Sequence, residues 1–308
     1  MPIEIALMVE GQDGLNWPRW AAIARAAEEG GFAGLYRSDH FVTHRGPRRD
    51  ALETWASLTW LATHTRRIEF GSLVSPITLR NPVVLALTAA AVDDLSGGRL
   101  QLGLGTGWQE REHRMYGFEL PPFGQRFDRF AEALAVITGL LRSPDPVTRR
   151  GATYRLDDAA LTPRPARAAG PPIVIGGKGP RRTLPLIARY GDEWNSTGVN
   201  VAEFRELGEV LDDLLRAGGR DPRSVRRSLM TTVVWGANEA DLARRLGNRD
   251  AREMYARNRF VGTTERIVDQ LRPWDESGLD RVMLRWENFD DADGIRRMGE
   301  ALNQALGR

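Results

Sequence analysis

The sequence predicts a single α/β domain over residues 1–308, a (β/α)8 barrel, and three features predict it. Short apolar runs alternate with longer amphipathic segments along the whole chain, as expected of βα units building a parallel sheet. Eight such pairs can be marked out, the number that closes a barrel. The first βα turn, EGQDGLN, lacks the G-x-G-x-x-G fingerprint usual in the competing open, doubly wound sheet. A chain of 308 residues, 42% hydrophobic and 27% charged, suits one compact unit of this kind and argues against disorder.

Strands are expected at Ile3 to Val9, Gly34 to Ser38, Ile68 to Val74, Leu100 to Gly105, Ile173 to Gly176, Glu193 to Ser196, Ser228 to Trp235 and Arg281 to Trp286. Each is followed by a helical pattern. In the third unit, Asn81 and Pro82 supply an N-cap and an N1 proline, Ala86, Ala89, Ala90, Ala91 and Leu95 form a close-packing face, and Ser96-Gly97-Gly98 stops the helix. Residues 143–170, with Pro144, Pro146, Pro163 and Pro165 around GATYRLDDA, read as a small extended excursion. The charged run NRDAREMYARNR reads as helical, and Thr263 or Thr264 caps a helix from Glu265 to Leu271.

With no cysteine, disulfides, thiolate metal sites and cysteine nucleophiles are all excluded. No HxxxH, HExxH or carboxylate cluster suggests a metal site, and no G-x-S-x-G elbow suggests a hydrolase. A net charge of +2 gives no nucleic-acid footprint. The N-terminal MPIEIALMVEG carries Glu4 and Glu10 and no basic leader, so it reads as a first strand. No run approaches the roughly 18 apolar residues of a membrane span. A cytoplasmic protein is expected. Lys178 is the only lysine, leaving 42 of the 43 basic residues as Arg (43 less 1), a bias that sets this one position apart.

In a closed parallel barrel, chemistry gathers where the strands end and their following loops converge. That rule selects Ser38-Asp39-His40-Phe41, Ser75-Pro76-Ile77-Thr78, Gly105-Thr106-Gly107-Trp108 and Gly176-Gly177-Lys178-Gly179, with Asn195, Trp235 and Trp286-Glu287-Asn288 on the remaining strands. His40 can hold a proton near physiological pH, although a structural histidine would look the same. IGGKGPRRTL is the best phosphate-loop candidate. Its glycines let backbone N–H groups approach an anion, Pro180 suits the first turn of a helix, and Lys178 offers a compact charge. A glycine-rich turn required by backbone geometry is the alternative. The glycines of LGLGTGW can equally make room inside a narrow barrel. Tryptophans at strand ends, Trp108 first among them, could wall a planar cofactor.

Four segments taken in order, AAEEGGFAGLYRSDHF, TRRIEFGSLVSPITLRNPVVLA, DDLSGGRLQLGLGTGWQEREHRMYG and PRPARAAGPPIVIGGKGPRRTLPLIARYGDEWN, resemble the luciferase-like monooxygenase superfamily and its F420-dependent oxidoreductase subgroup. The resemblance implies a luciferase-like barrel with insertions in the loops at its C-terminal face and a cofactor, F420 or alternatively FMN, across that mouth. It implies His40 facing the reactive ring, with Asp39 beside it. A non-prolyl cis peptide is implied within Ser72, Leu73, Val74 and Ser75. Thr106, Gly107, Trp108, Gly176, Gly177, Lys178 and Gly179 would serve the cofactor. One branch of the family carries a catalytic Glu directly after Gly-Thr-Gly, where this chain has Trp108; Glu110 and Glu112 follow but do not inherit that role by alignment. The implied activity is hydride transfer between F420 and a small organic substrate. The alternatives are a two-component FMN monooxygenase fed by a separate reductase, and a flavin- or deazaflavin-binding protein without turnover. A homodimer is implied by the same analogy.

Overall fold

The computed structural model describes residues 3–307. Eight parallel strands form a closed ring: β1 (Glu4–Val9), β2 (Gly34–Arg37), β3 (Glu69–Ser72), β4 (Leu100–Gly105), β5 (Ile173–Gly176), β6 (Glu193–Thr197), β7 (Arg226–Trp235) and β8 (Arg281–Arg285). Closure is shown by β1 pairing both β2 and β8 while β7 pairs β8 and β6. Among the helices packed outside the ring are α1 (Trp17–Glu29), α2 (Thr54–His64) and α3 (Pro82–Leu95). Asn81 caps α3 as expected, its side chain accepting from Val83 and Val84 N–H groups with Pro82 in the first turn.

The third strand is shorter than the expected Ile68 to Val74. It ends at Ser72, passes through a cis peptide between Leu73 and Val74, and resumes as a two-residue bridge, Ser75–Pro76, on β4. Pairing moves from Gly71↔Gln101 to Ser75↔Leu104, so four steps on one strand oppose three on the other, the signature of a bulge. The bulge turns Val74 toward β4 and β5. A Cβ added at Gly105 would overlap Val74 Cγ2, one at Gly103 would overlap Ser72 O, and one at Gly176 would come within 3.3 Å of Val74 Cγ1. Glycine at these positions therefore makes room for the bulge, the packing alternative that the sequence left open.

Three further elements complete the chain. Residues 143–170 contain an antiparallel hairpin, Val147–Arg150 with Arg155–Ala159. A strand not expected from the sequence, Phe260–Gly262, pairs with the far end of β7, and the helix that follows runs from Thr264 to Asp275 with Thr263 at its N-cap position, the hydroxyl donating to Glu265 rather than capping a backbone N–H. The charged run is helical only over Ala251–Ala256.

Two apolar compartments hold the barrel together. The larger lies between strands and helices and includes Trp20, Phe70, Trp194 and Phe204, the last two stacked at 5.0 Å. The smaller fills the lumen with Ala6, Met8, Tyr36, Leu73, Val174 and Met283. At about 1.5–3 kcal/mol per fully buried large side chain, these compartments are the main source of stability. Below the lumen, the first residues of five strands make one charged layer. Arg281 reaches Glu4 at 2.6 Å, Glu69 at 2.5 Å and Glu193 at 3.4 Å, donates to the Tyr36 hydroxyl, and is joined by Arg226. The layer closes the N-terminal end. The lumen therefore opens toward the other face.

Candidate active site

The strand-two exit is held rigidly from below. Arg37 is completely buried, donating to Ser57 Oγ and Leu52 O at 2.6 Å each and lying over the Trp20 ring. Burial pulls its pKa down to about 10 against the charges of Asp39 and Glu53. Asp39 is also buried, with both carboxylate oxygens engaged: Oδ2 accepts from Ser75 Oγ at 2.7 Å and from Arg80 Nε at 3.0 Å, and Oδ1 from Arg80 Nη2 at 2.6 Å. Asp39 thus ties the second strand's exit to the bulge after the third. Leu73 N–H donates to Arg37 O at 2.7 Å, and Ser72 Oγ to Gly103 O at 3.0 Å, completing the tie to β4.

His40 stands on this base with its ring mostly covered. Its Nδ1 lies 2.8 Å from Glu112 Oε1, and Glu112 Oε2 accepts the Phe41 N–H at 3.0 Å. Burial disfavours charging the imidazole, but the hydrogen bond and charge of Glu112 outweigh it, so the His40 pKa is raised above its usual 6.5. Glu112 comes from α4 (Glu110–Tyr116), a short helix beyond the eight expected βα pairs. Its inward face carries Gln109, Glu112 and His113, one helical turn apart and all buried, while Glu110 is exposed. His113 joins α4 to the third strand's loop through Thr78 Oγ1 at 2.8 Å. Trp108, 54% exposed, stands edge-on to His40 with ring centres 5.7 Å apart and leans on His44 at 4.8 Å. Trp235 and Trp286, also suggested by the sequence, are buried in packing.

The glycine loops bring peptide edges to the same face. Gly107 has φ +81°, where an added Cβ would overlap Thr78 Oγ1, and its carbonyl accepts from Arg126 at 2.6 Å. Thr106 precedes it, half-buried. Gly177, at φ +130°, donates to Asn195 O at 3.0 Å. Among the described residues, the N–H groups of Lys178, Gly179 and Arg181 make no protein hydrogen bond. The following helix, α5 (Thr183–Tyr190), starts three residues later than Pro180 suggested. The Gly179 carbonyl collects both Thr183 and Leu184 N–H groups and closes a turn first. Lys178 is half-exposed, its ammonium bonded to Gly198 O at 2.9 Å and Glu203 Oε1 at 3.0 Å.

Polar clefts flank the mouth beside β1, β7 and β8. One of about 210 Å³ is lined by Glu10, Asp13, Arg49, Arg285, Glu287 and neighbours. Burial and the nearby Glu10 raise the Asp13 pKa. Arg285, which no local motif singles out, has a buried Nε without a hydrogen-bond partner among the described residues and an Nη2 that meets Glu287 at 2.9 Å. A cleft of about 530 Å³ lies around Glu4, Glu69, Glu193 and Arg226 at the opposite end of the barrel, away from His40. Among the described residues, no group of His, Asp or Glu side chains is arranged to hold a metal, and no helix is long and apolar enough to cross a membrane.

The luciferase-like monooxygenase family model matches residues 2–259. Among similar proteins, an F420-dependent hydroxymycolic acid dehydrogenase of Mycobacterium tuberculosis H37Rv is 30% identical across 72% of this chain, which spans 60% of that protein. An F420-dependent glucose-6-phosphate dehydrogenase of Kineococcus radiotolerans is 31% identical across 86% of this chain and 78% of its own. An F420-dependent secondary alcohol dehydrogenase, solved with an F420–acetone adduct, shares the fold with a TM-score of 0.80 over 98% of this chain and 99% of its own, at 20% identity.

Proposed function

This chain belongs to the luciferase-like monooxygenase family, and on that premise we propose that it transfers a hydride between coenzyme F420 and a small organic substrate. The observation that carries the reading is a histidine paired with a buried carboxylate at the edge of a mouth lined by unengaged backbone donors. Such a mouth fits a flat ring with an anionic tail. The Leu73–Val74 bulge would support the ring. Gly105 and Gly176 would hold that bulge in place, and Gly107 and Gly177 give the positive-φ turns that follow their strands. The Lys178 and Gly179 amides would meet the phosphate, with the Lys178 ammonium exchanging Glu203 for it.

When bound, F420 supplies the two-electron chemistry, because carbon at the flavin N5 position favours hydride transfer. The chain's own contribution is orientation and a proton site. His40 would give a proton to the substrate oxygen when a carbonyl is reduced, or take one when an alcohol is oxidised. Fluorescence titration of the purified protein with F420 and with FMN tests the reading, and saturable binding of F420 is the expected result. No affinity for F420, with binding of reduced FMN and FMN-dependent hydroxylation in air, would replace it by a two-component monooxygenase.

A further inference from the structure

We infer that Glu112 is a positioning residue that fixes His40 with its proton on Nδ1, leaving Nε2 as the proton-exchanging atom of the ring. The catalytic use of that arrangement rests on the function proposed above; the arrangement itself does not.

A carboxylate taken wholly out of water costs several kcal/mol unless a charge and hydrogen bonds compensate it. The Glu112 side chain is 1% exposed, and among the described residues its one ion-pair partner is His40. Arg111, its neighbour in sequence, and Arg80, which lies over the Phe41 ring, are committed elsewhere. Arg111 donates to the carbonyls of Thr43 and Gly46, and Arg80 to Asp39 and Glu53. Compensation of Glu112 therefore falls to the imidazole and the Phe41 N–H, which between them engage both oxygens. An ionised carboxylate only accepts, so the proton of the 2.8 Å contact must sit on Nδ1.

The other ring nitrogen has no protein hydrogen-bond partner among the described residues. The remaining charges facing His40 are Glu10, from the loop after β1, and its neighbour Asp39. Both favour the imidazolium. Asp39, however, is already neutralised by Arg80, and Glu10 makes no hydrogen bond to the ring. In carbonyl reduction, the substrate carbon gains the hydride while its oxygen takes the Nε2 proton. The neutral ring left behind keeps the Nδ1–H···Glu112 bond. In the reverse direction, Nε2 accepts the alcohol proton and Glu112 balances the new charge.

The test uses protein labelled with 15N in its imidazoles, without cofactor or substrate, and follows tautomer and titration by long-range 15N–1H correlation. Loss of one signal set in His40→Asn assigns the ring. In the wild type, the neutral form should carry its proton on Nδ1, and the ring should stay charged to higher pH than an ordinary histidine. Glu112→Gln keeps the volume but removes the charge, so titration should move to lower pH, and Glu112→Asp should restore part of the difference. An Nε2–H tautomer in the wild type, or identical titrations of wild type and Glu112→Gln, overturns the inference. If Glu112→Gln does not fold, the wild-type tautomer decides alone. Failure of F420 to bind would remove the proposed function while leaving this result intact, so the two failures are separable.

Discussion

The Arg80 guanidinium grips the buried Asp39 carboxylate through two nitrogens, Nε to Oδ2 at 3.0 Å and Nη2 to Oδ1 at 2.6 Å. Removing the guanidinium in Arg80→Ala strands a negative charge in the strand-two exit. The expected loss is about 3–5 kcal/mol, the range for breaking a buried pair from one side. Urea denaturation checks it, and in the Asp39→Asn background the same Arg80→Ala change should cost much less.

Gly105 and Val74 are coupled through space, since a methyl group on residue 105 would occupy the site of Val74 Cγ2. Valine cannot swing aside cheaply, because it is branched at Cβ. Gly105→Ala should therefore destabilise by about 1–3 kcal/mol, the cost of overpacking. A double-mutant cycle with Val74→Ala is the measurement. The pair should cost less than the sum of its single changes, and strict additivity would mean that Val74 is not what requires glycine there.

Lys178 and Glu203 form an exposed ion pair, which is worth about 0–1 kcal/mol. Lys178→Ala should thus leave thermal stability nearly unchanged. On the proposed function it should weaken F420 binding by roughly 5-fold to 150-fold, the equivalent of about 1–3 kcal/mol for a lost charge-assisted hydrogen bond. Titrations at low and moderate salt should show a steeper salt dependence for the wild type than for the variant. Equal affinities and equal slopes would leave the backbone amides as the whole of the phosphate site.

Asp241 lies in the first turn of α6 (Glu239–Leu246). Partial burial raises its pKa, but the Ala237 N–H, Arg245 and Arg244 bring it down to about 2, from an ordinary 3.8. A carboxyl depressed by folding contributes stability above its unfolded pKa and loses it as pH falls toward the folded one. The advantage of wild type over Asp241→Asn should accordingly be complete above about pH 4 and fade toward pH 2. Acid denaturation of both proteins measures it.

The barrel was legible because its signals are local: the apolar period recurs along the chain, and side-chain caps and glycine stops mark several of its helices. Asn81 and Thr263 mark helix starts in sequence and in space alike. The bulge after β3 was not legible in the residues themselves, where only the resemblance implied a cis peptide, since its cause is the fit of Val74 among glycines of the next two strands. The site divides in the same way. His40 and the glycine loops stand at strand ends, where position alone singles them out. Glu112 is separated from His40 by 72 positions and sits in EREHR, a run that reads as solvated charge. Its one local sign was helical spacing with Gln109 and His113. Arg80 and Arg285 were hidden by abundance, two among 42 arginines (43 basic residues less one lysine).

The charged layer of Arg281, Glu4, Glu69 and Glu193 floors the barrel on the side away from His40. On the proposed function, cofactor and substrate would therefore both approach from the His40 face. Arg281, at the far end of the lumen, would thus set the side of approach for a reaction it never touches.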